Sequence, residues 1–328
     1  MHNRGEVAEQ TRNKILKIVN DLNYQPNIMA STLASKKPVL FVTLFPQPPS
    51  PDAYWNKPLA GVRKRIQELQ PYRITAENLT FSQIDSTDFT AQASRVIDLN
   101  PDGVVLAPFY SREAYKLVEI LKTKNIPFIF IDSELKNVSP VAYVGQDSFQ
   151  SGLVAGKLMG LITNPARPVM VVHFAKEMDN MNHLVERERG FYEWFRQNQT
   201  NKKIITREVS DTSDNSWESD MHNEIRNSKP EGIFVTNSRV YLMAQLLQKA
   251  KIEDIRLIGH DLVEQNRRYL RKGIVSFLIC QRPEEQGYNA IDRLYQHVIR
   301  KRKVDESNYT SIDVVTNENV DYYREFKH

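Results

Sequence analysis

Five polar residues in this 328-residue sequence each stand just behind a short apolar run. Asp132 follows Phe128–Ile131, Asp147 follows Val141–Gly145, Asn237 follows Ile233–Thr236, Asp261 follows Leu257–His260, and Gln281 follows Phe277–Cys280. Carboxylates and amides offer directed hydrogen-bond acceptors and donors, which suits a polyhydroxylated ligand. If the apolar runs are parallel strands, these residues line the crevice beyond the strands' carboxyl ends, where open α/β sheets take their ligands. Taken singly, each Asp or Asn reads equally well as a helix N-cap, which favours the same residue types at the same place. As a set they favour a cleft. Tyr54 and Trp55, in the loop behind the first apolar run, and Trp217 are candidates for stacking on a sugar face; core or rim packing is the plainer alternative.

Nothing comparable supports catalysis. The sequence has no GxGxxG, Walker loop, HExxH, GxSxG or CxxC, and its seven histidines lack metal-ligand spacing. Glu186 and Glu188 read as one face of a helix. Neither enzymatic activity, nor a cofactor, nor a metal is expected. The lone cysteine, Cys280, excludes an internal disulfide and a cysteine zinc cluster, and its apolar surroundings suit a buried, inert thiol. With 41% hydrophobic and 26% charged residues the composition is that of an ordinary soluble protein. The net charge of +4 does not by itself argue for nucleic acid, and Arg300–Lys303 reads as a solvated helix end. No signal peptide is visible, and the longest apolar helix candidate, Ser151–Thr163, is too short to span a bilayer. A cytoplasmic location without membrane contact is expected.

The elements that must position these residues alternate. Strand runs at Val39–Phe45, Tyr72–Leu79, Gly103–Ala107, Pro127–Asp132 and Val141–Val144 are separated by helical patterns at Pro58–Leu69, Ser86–Leu99 and Arg112–Lys124, and followed by another at Ser148–Leu161. After Thr163–Pro168 the alternation restarts, with strands at Val169–His173, Lys203–Val209, Gly232–Thr236, Ile255–Gly259 and Ser276–Ile279. Helices are predicted at Val185–Gln199, Asn215–Asn227, Arg239–Ala250 and Pro283–Val304, with a last strand at Ser311–Val315. Continuously apolar strands suit parallel sheets covered on both faces. Gly152, Gly156 and Gly160 recur every fourth residue, the mark of a helix pressed closely on a sheet.

The first 37 residues read differently. Ile15, Ile18, Val19 and Leu22 are apolar at helical spacing, Leu22-Asn23-Tyr24-Gln25-Pro26-Asn27 stops that helix at a proline turn, and Ile28–Ser35 is a short apolar segment closed by Lys36-Lys37. This order resembles the lactose-repressor/galactose-repressor family: third headpiece helix, LNYxPN junction, hinge helix ending xLAxxK. In that family a helix-turn-helix precedes this point and reads the major groove. The chain opens at Met1–Gly5, where the resemblance places the loop after that recognition helix, so a headpiece truncated within its helix-turn-helix is expected.

The resemblance implies two Rossmann-like α/β lobes of the periplasmic-binding-protein type I fold, with crossovers near 163–167, 280–283 and about 310. A partial headpiece and hinge would occupy residues 1–37. The N-terminal lobe would take 38–163 with 283–309, and the C-terminal lobe 164–282 with 310–328. It also implies that Asp147, in YVGQDSFQSG, is an acidic effector contact, that Arg187, in VERERGF, is the arginine of an RxxGF pattern, and that Asn237, Asp261 and Gln281 close the cleft from the second lobe. Ser238 stands where the family usually has Asp, which leaves the particular ligand open. Leu33 would wedge into the minor groove, with Asn27, Ala30 and Ala34 beside it in the hinge. Hinge helices this short are unstable alone and would form only where two copies meet on DNA. The expectation is a homodimeric, ligand-responsive repressor of operator DNA whose effector is a sugar, sugar acid or sugar phosphate. The alternative is a stand-alone sugar receptor of the same fold.

Overall fold

A computed structural model describes residues 38–175, 181–199, 201–210, 216–324 and 326, together with Thr11, Lys14 and Ile18. The hinge candidates Asn27, Ala30, Leu33 and Ala34 lie outside the described residues. One sheet contains β1 (Val39–Pro46), β2 (Ile74–Phe81), β3 (Gly103–Leu106), β4 (Phe128–Ile131), β5 (Ala142–Gly145) and β11 (Ser307–Tyr309), in the order β11-β5-β4-β3-β1-β2. The other contains β6 (Val169–Phe174), β7 (Ile204–Val209), β8 (Gly232–Val235), β9 (Arg256–His260), β10 (Phe277–Cys280) and β12 (Asp313–Val315), in the order β12-β10-β9-β8-β6-β7. Every pairing is parallel except β10 with β12. Strands β3, β4 and β8 are buried at every position, because helices cover both faces. The same order in both sheets makes the chain an internal repeat.

Nine helices are formed among the described residues: α1 (Asn56–Leu69), α2 (Ser86–Asp98), α3 (Ser111–Thr123), α4 (Ser148–Ile162), α5 (Asn182–Gln197), α6 (Ser216–Ser228), α7 (Val240–Ala250), α8 (Glu264–Arg271) and α9 (Pro283–Val298). Two of them change sheets. Helix α4 leaves β5 of the first sheet yet packs Ala155 and Met159 against Val169, Val171 and Phe234 of the second. Helix α9 leaves β10 of the second yet packs Ala290, Ile291 and Leu294 against Phe41, Val105 and Ile129 of the first. The first crossover therefore falls at Gln146–Asp147, ahead of 163–167, and residues 148–162 pack with the second lobe rather than the first. Apolar periodicity tells a helix to be buried and is silent on which sheet buries it.

Glycines lock both exchanges. A β-carbon at Gly152 of α4 would stand 2.1 Å from the Arg187 carbonyl of α5, and one at Gly190 of α5 would stand 2.0 Å from the Phe149 carbonyl of α4. In the first lobe, β-carbons at Gly61 and Gly287 would stand 1.9 Å from the Glu284 and Pro58 carbonyls in the same reciprocal way. The stripe Gly152, Gly156, Gly160 thus faces helix α5, through Arg187, Phe191 and Trp194, rather than the sheet.

Three segments differ from the pattern reading. Helix α8, which buries Asn266 and Leu270, lies outside the predicted helices. The helix predicted to Val304 ends at Val298, because Ile299 and Val304 continue the apolar pattern as coil on the same core. Strand β11 follows it unheralded. Cys280 is buried. No helix among the described residues is long and apolar enough to cross a membrane.

Candidate functional site

The carboxyl ends of the two sheets face one another across a cavity of about 330 Å³. Asp132 leaves β4 with φ at 66°, and Asp261 leaves β9 with φ at 64°. Left-handed backbone costs a residue bearing a β-carbon about 1 kcal/mol, and it accumulates where a site demands it. Both residues keep the ladder for one more step: Asp132 N donates to Val144 O at 3.1 Å, and Asp261 N to Ile279 O at 3.0 Å. The left-handed turn then takes the chain out of the strand, and both aspartates line the cavity.

The two are partnered differently. Tyr54, from the loop between β1 and α1, donates its hydroxyl to Asp132 Oδ1 at 2.7 Å. Burial, and then the neighbouring Asp132, push the Tyr54 phenol well above its ordinary range. Asp261 is 5% exposed; its Oδ2 accepts from Gln281 Nε2 at 3.3 Å, while its Oδ1 is buried without a protein partner. Burial pushes its carboxyl up to about 7 against the pull of Arg187, with Asp132 adding to the rise and Gln281 and Lys57 opposing it.

Arg187 enters from α5 and is 2% exposed. It donates through Nη1 to Thr236 O at 2.8 Å and through Nη2 to Gln281 Oε1 at 3.4 Å, and its Nε has no partner. Thr236 is held from behind: its hydroxyl lies 2.8 Å from His173 Nδ1, whose Nε2 lies 2.9 Å from Glu188. His183, one turn ahead of Arg187 on α5, also lines the cavity with an unpartnered Nδ1. Burial drives its ring down to about 4, so it is neutral at pH 7.

Seven of the nine candidates from the sequence line this one cavity: Tyr54, Trp55, Asp132, Arg187, Asn237, Asp261 and Gln281. Trp55 also belongs to the first-lobe core, edge-on to Tyr54. Asn237 uses its amide locally, donating to Phe174 O at 2.9 Å and accepting from Arg239 N at 3.2 Å. Asp147 and Trp217 do not join them. Asp147 caps α4, accepting from Gln150 N at 2.9 Å, and lines a separate cavity of about 460 Å³. Trp217 packs in the second-lobe core, edge-on to the cavity-lining Phe174 with ring centroids 5.2 Å apart. In both, the plainer alternative is the one realised.

The pattern reading missed His183 and the apolar lining of Phe109, Phe174, Met181 and Leu184. Phe174 ends β6 and Phe109 follows β3, so extending the strand-end rule to aromatics finds them. The lobes also touch around the cavity. Lys57 Nζ donates to Leu262 O at 3.0 Å, Lys136 pairs with Glu186 at 3.4 Å, and Phe109 packs on Ala175, Met181 and Leu184. Among the described residues no group of three or more His, Cys, Asp or Glu can hold a metal ion. The polar lining of Asp132, Arg187, Asn237, Asp261 and Gln281 suits hydrogen bonding to a small polar ligand.

Residues 42–302 match the family described as periplasmic binding protein domain. The solved structure of a Bacteroides fragilis protein assigned as a LacI transcriptional regulator is 31% identical, with a TM-score of 0.82, covering 88% of this chain and 100% of that one. GanP, a glucose-galactose binding protein from Geobacillus stearothermophilus, is 22% identical with a TM-score of 0.77, covering 87% of this chain and 99% of its own, and so shares the fold. The HTH-type transcriptional regulator MalR of Streptococcus pneumoniae is 22% identical over 156 residues, which are 47% of this chain and 46% of MalR. The chain thus spans about half the length of the curated relatives it matches. It belongs to the periplasmic binding protein domain family and, within it, to the lactose-repressor/galactose-repressor (LacI) group.

Proposed function

We propose that the chain is a ligand-responsive transcriptional regulator that senses a sugar or sugar derivative between its lobes. The observation that carries this reading is the pair of buried, unpartnered atoms on two cavity-lining residues, Asp261 Oδ1 and Arg187 Nε. A buried polar atom without a partner costs about 1–3 kcal/mol, and a ligand hydroxyl removes that cost. The names of the similar proteins, HTH-type and LacI regulators beside a glucose-galactose binding protein, support both halves of the reading.

In this account the protein is a cytoplasmic homodimer, and its DNA partner is an operator bound through a complete headpiece and hinge. Ligand shifts the population between two arrangements of the lobes, which changes the separation of the two hinge segments and so their fit to the operator. Repression is the expected output. Thermal-shift titration against pentoses, hexoses and their acid and phosphate derivatives tests the sensing step. A sugar should stabilise the native chain, with affinity weakened by about 2 kcal/mol or more in Arg187→Ala and in Asp261→Ala. Undiminished binding by both variants moves the site elsewhere.

A further inference from the structure

The cleft's hydrogen-bond inventory bears on the charge of the ligand it takes. Asp261 Oδ1, when ionised, only accepts; Arg187 Nε only donates. Asp132 has one oxygen taken by Tyr54, and its other is an additional acceptor. His183 Nδ1 adds one more unpartnered position, donor or acceptor according to tautomer. One ligand in this cavity must therefore offer hydrogens to carboxylates and lone pairs to a guanidinium. A hydroxyl group does both. A phosphate dianion or a carboxylate does only the second.

Charge points the same way. Asp132 and Asp261 approach the cavity from opposite lobes, with Asp52 also in its lining, against Arg187 and Arg239. Arg187 already stabilises Asp261, and its two Nη atoms are engaged by Thr236 and Gln281, so it does not present an unoccupied fork to an incoming anion. An anionic group placed here meets Asp132 and, as pH rises through about 7, a second carboxylate at Asp261, in a site of low effective dielectric. We infer that the cleft selects an uncharged, polyhydroxylated ligand and rejects phosphorylated and acidic sugars. This inference rests on the sugar-sensing reading and narrows it.

Proton linkage gives an independent readout of the same choice. The groups facing Asp261 are Asp132, Tyr54 and Lys57 from the first lobe and Arg187 and Gln281 from the second. The Asp261 carboxyl titrates near neutrality because it is buried. A ligand hydroxyl donating to it favours the carboxylate, so an uncharged sugar binds more tightly as pH rises from about 6 to about 8. An anionic ligand favours the protonated acid, so its affinity falls over the same range.

Calorimetry on the native chain decides it, with D-glucose, D-galactose, D-ribose, D-arabinose and maltose titrated beside glucose 6-phosphate, ribose 5-phosphate, D-glucuronate and D-galacturonate. The expected result is binding by at least one uncharged sugar, with its charged relative weaker by about tenfold or more and affinity rising toward about pH 8. A phosphate or uronate that binds as tightly as its uncharged relative, or an affinity that falls with pH, overturns the charge selection while leaving sugar sensing in place. Absence of binding across both halves of the panel overturns sugar sensing itself. Asp261→Asn, which replaces an anionic acceptor by an amide, should narrow the gap between uncharged and charged ligands.

Discussion

Asp132 and Asp261 hold the same place in the two lobes: each follows the fourth strand of its sheet, each has a left-handed backbone at φ 66° and 64°, and each donates its N–H to the neighbouring fifth strand. The repeat built two equivalent carboxylates, and their surroundings then diverged. A tyrosine donates to one oxygen of Asp132, while a glutamine donates to one oxygen of Asp261 and leaves the other without a protein partner.

That asymmetry should appear in stability. The Asp261 carboxyl has an ordinary value of 3.8 and about 7 in the folded chain, so between those values the folded state holds more protons than the unfolded one. Its contribution is therefore most favourable below about pH 4 and is lost as pH rises to about 7, by an amount on the order of 4 kcal/mol. Asp261→Asn should be more stable than the native chain in urea by about 1–3 kcal/mol at about pH 8 and show little gain at about pH 5, while losing ligand affinity. An Asn variant that is less stable at the higher pH removes burial as the cause.

Arg187 should be structural as well as functional. Removing it takes a donor from Thr236 O and from Gln281 Oε1 beside a buried carboxylate, so Arg187→Met should lower stability by about 2–4 kcal/mol. Lysine presents a point charge rather than a planar fork, so Arg187→Lys should recover little of either stability or binding. Full recovery by lysine would mean that charge alone matters there.

The reciprocal glycines make a prediction about coupling. Gly152→Ala and Gly190→Ala each force α4 from α5, and each should lower stability by about 2 kcal/mol or more. Once one has separated the helices, the second has less to disturb, so the double variant should lose clearly less than the sum. Strict additivity in denaturant unfolding would argue against a shared contact.

The proposed homodimer should persist without residues 1–37, because two hinge segments can cooperate only if the lobes hold them together. We propose that the lobes pair through α1, α3 and α7; on α3, Tyr115 and Ile120 are exposed. Light scattering on the shortened chain should report a dimer at micromolar concentration. A monomer would place assembly in the N-terminal segment.

Much of this was legible in the residues. The strands announce themselves because a parallel sheet covered on both faces needs unbroken apolar runs, and the cleft announces itself because polar residues follow those runs. Asp147 shows the limit of that rule: the residue behind β5 that turns inward is Gln146, buried and bonded to Cys280 O and Ser311 O, and Asp147 one step later caps the helix. Trp217 shows another, since an aromatic on a helix face carries no mark of which side of Phe174 it will occupy. The exchange of α4 and α9 between sheets was hidden because local pattern specifies burial without a partner.

The central claim is that the ligand completes Asp261 and Arg187 on the second-lobe wall of the cleft. The most direct test follows the side-chain Nε–Hε resonance of Arg187 by nuclear magnetic resonance, assigned through Arg187→Lys, while an uncharged sugar is titrated in. Because that group has no protein partner in the structure, the account predicts a large shift of this resonance at saturation, accompanied by shifts at Tyr54 and Asp132. Saturating binding that leaves the Arg187 resonance unmoved contradicts it.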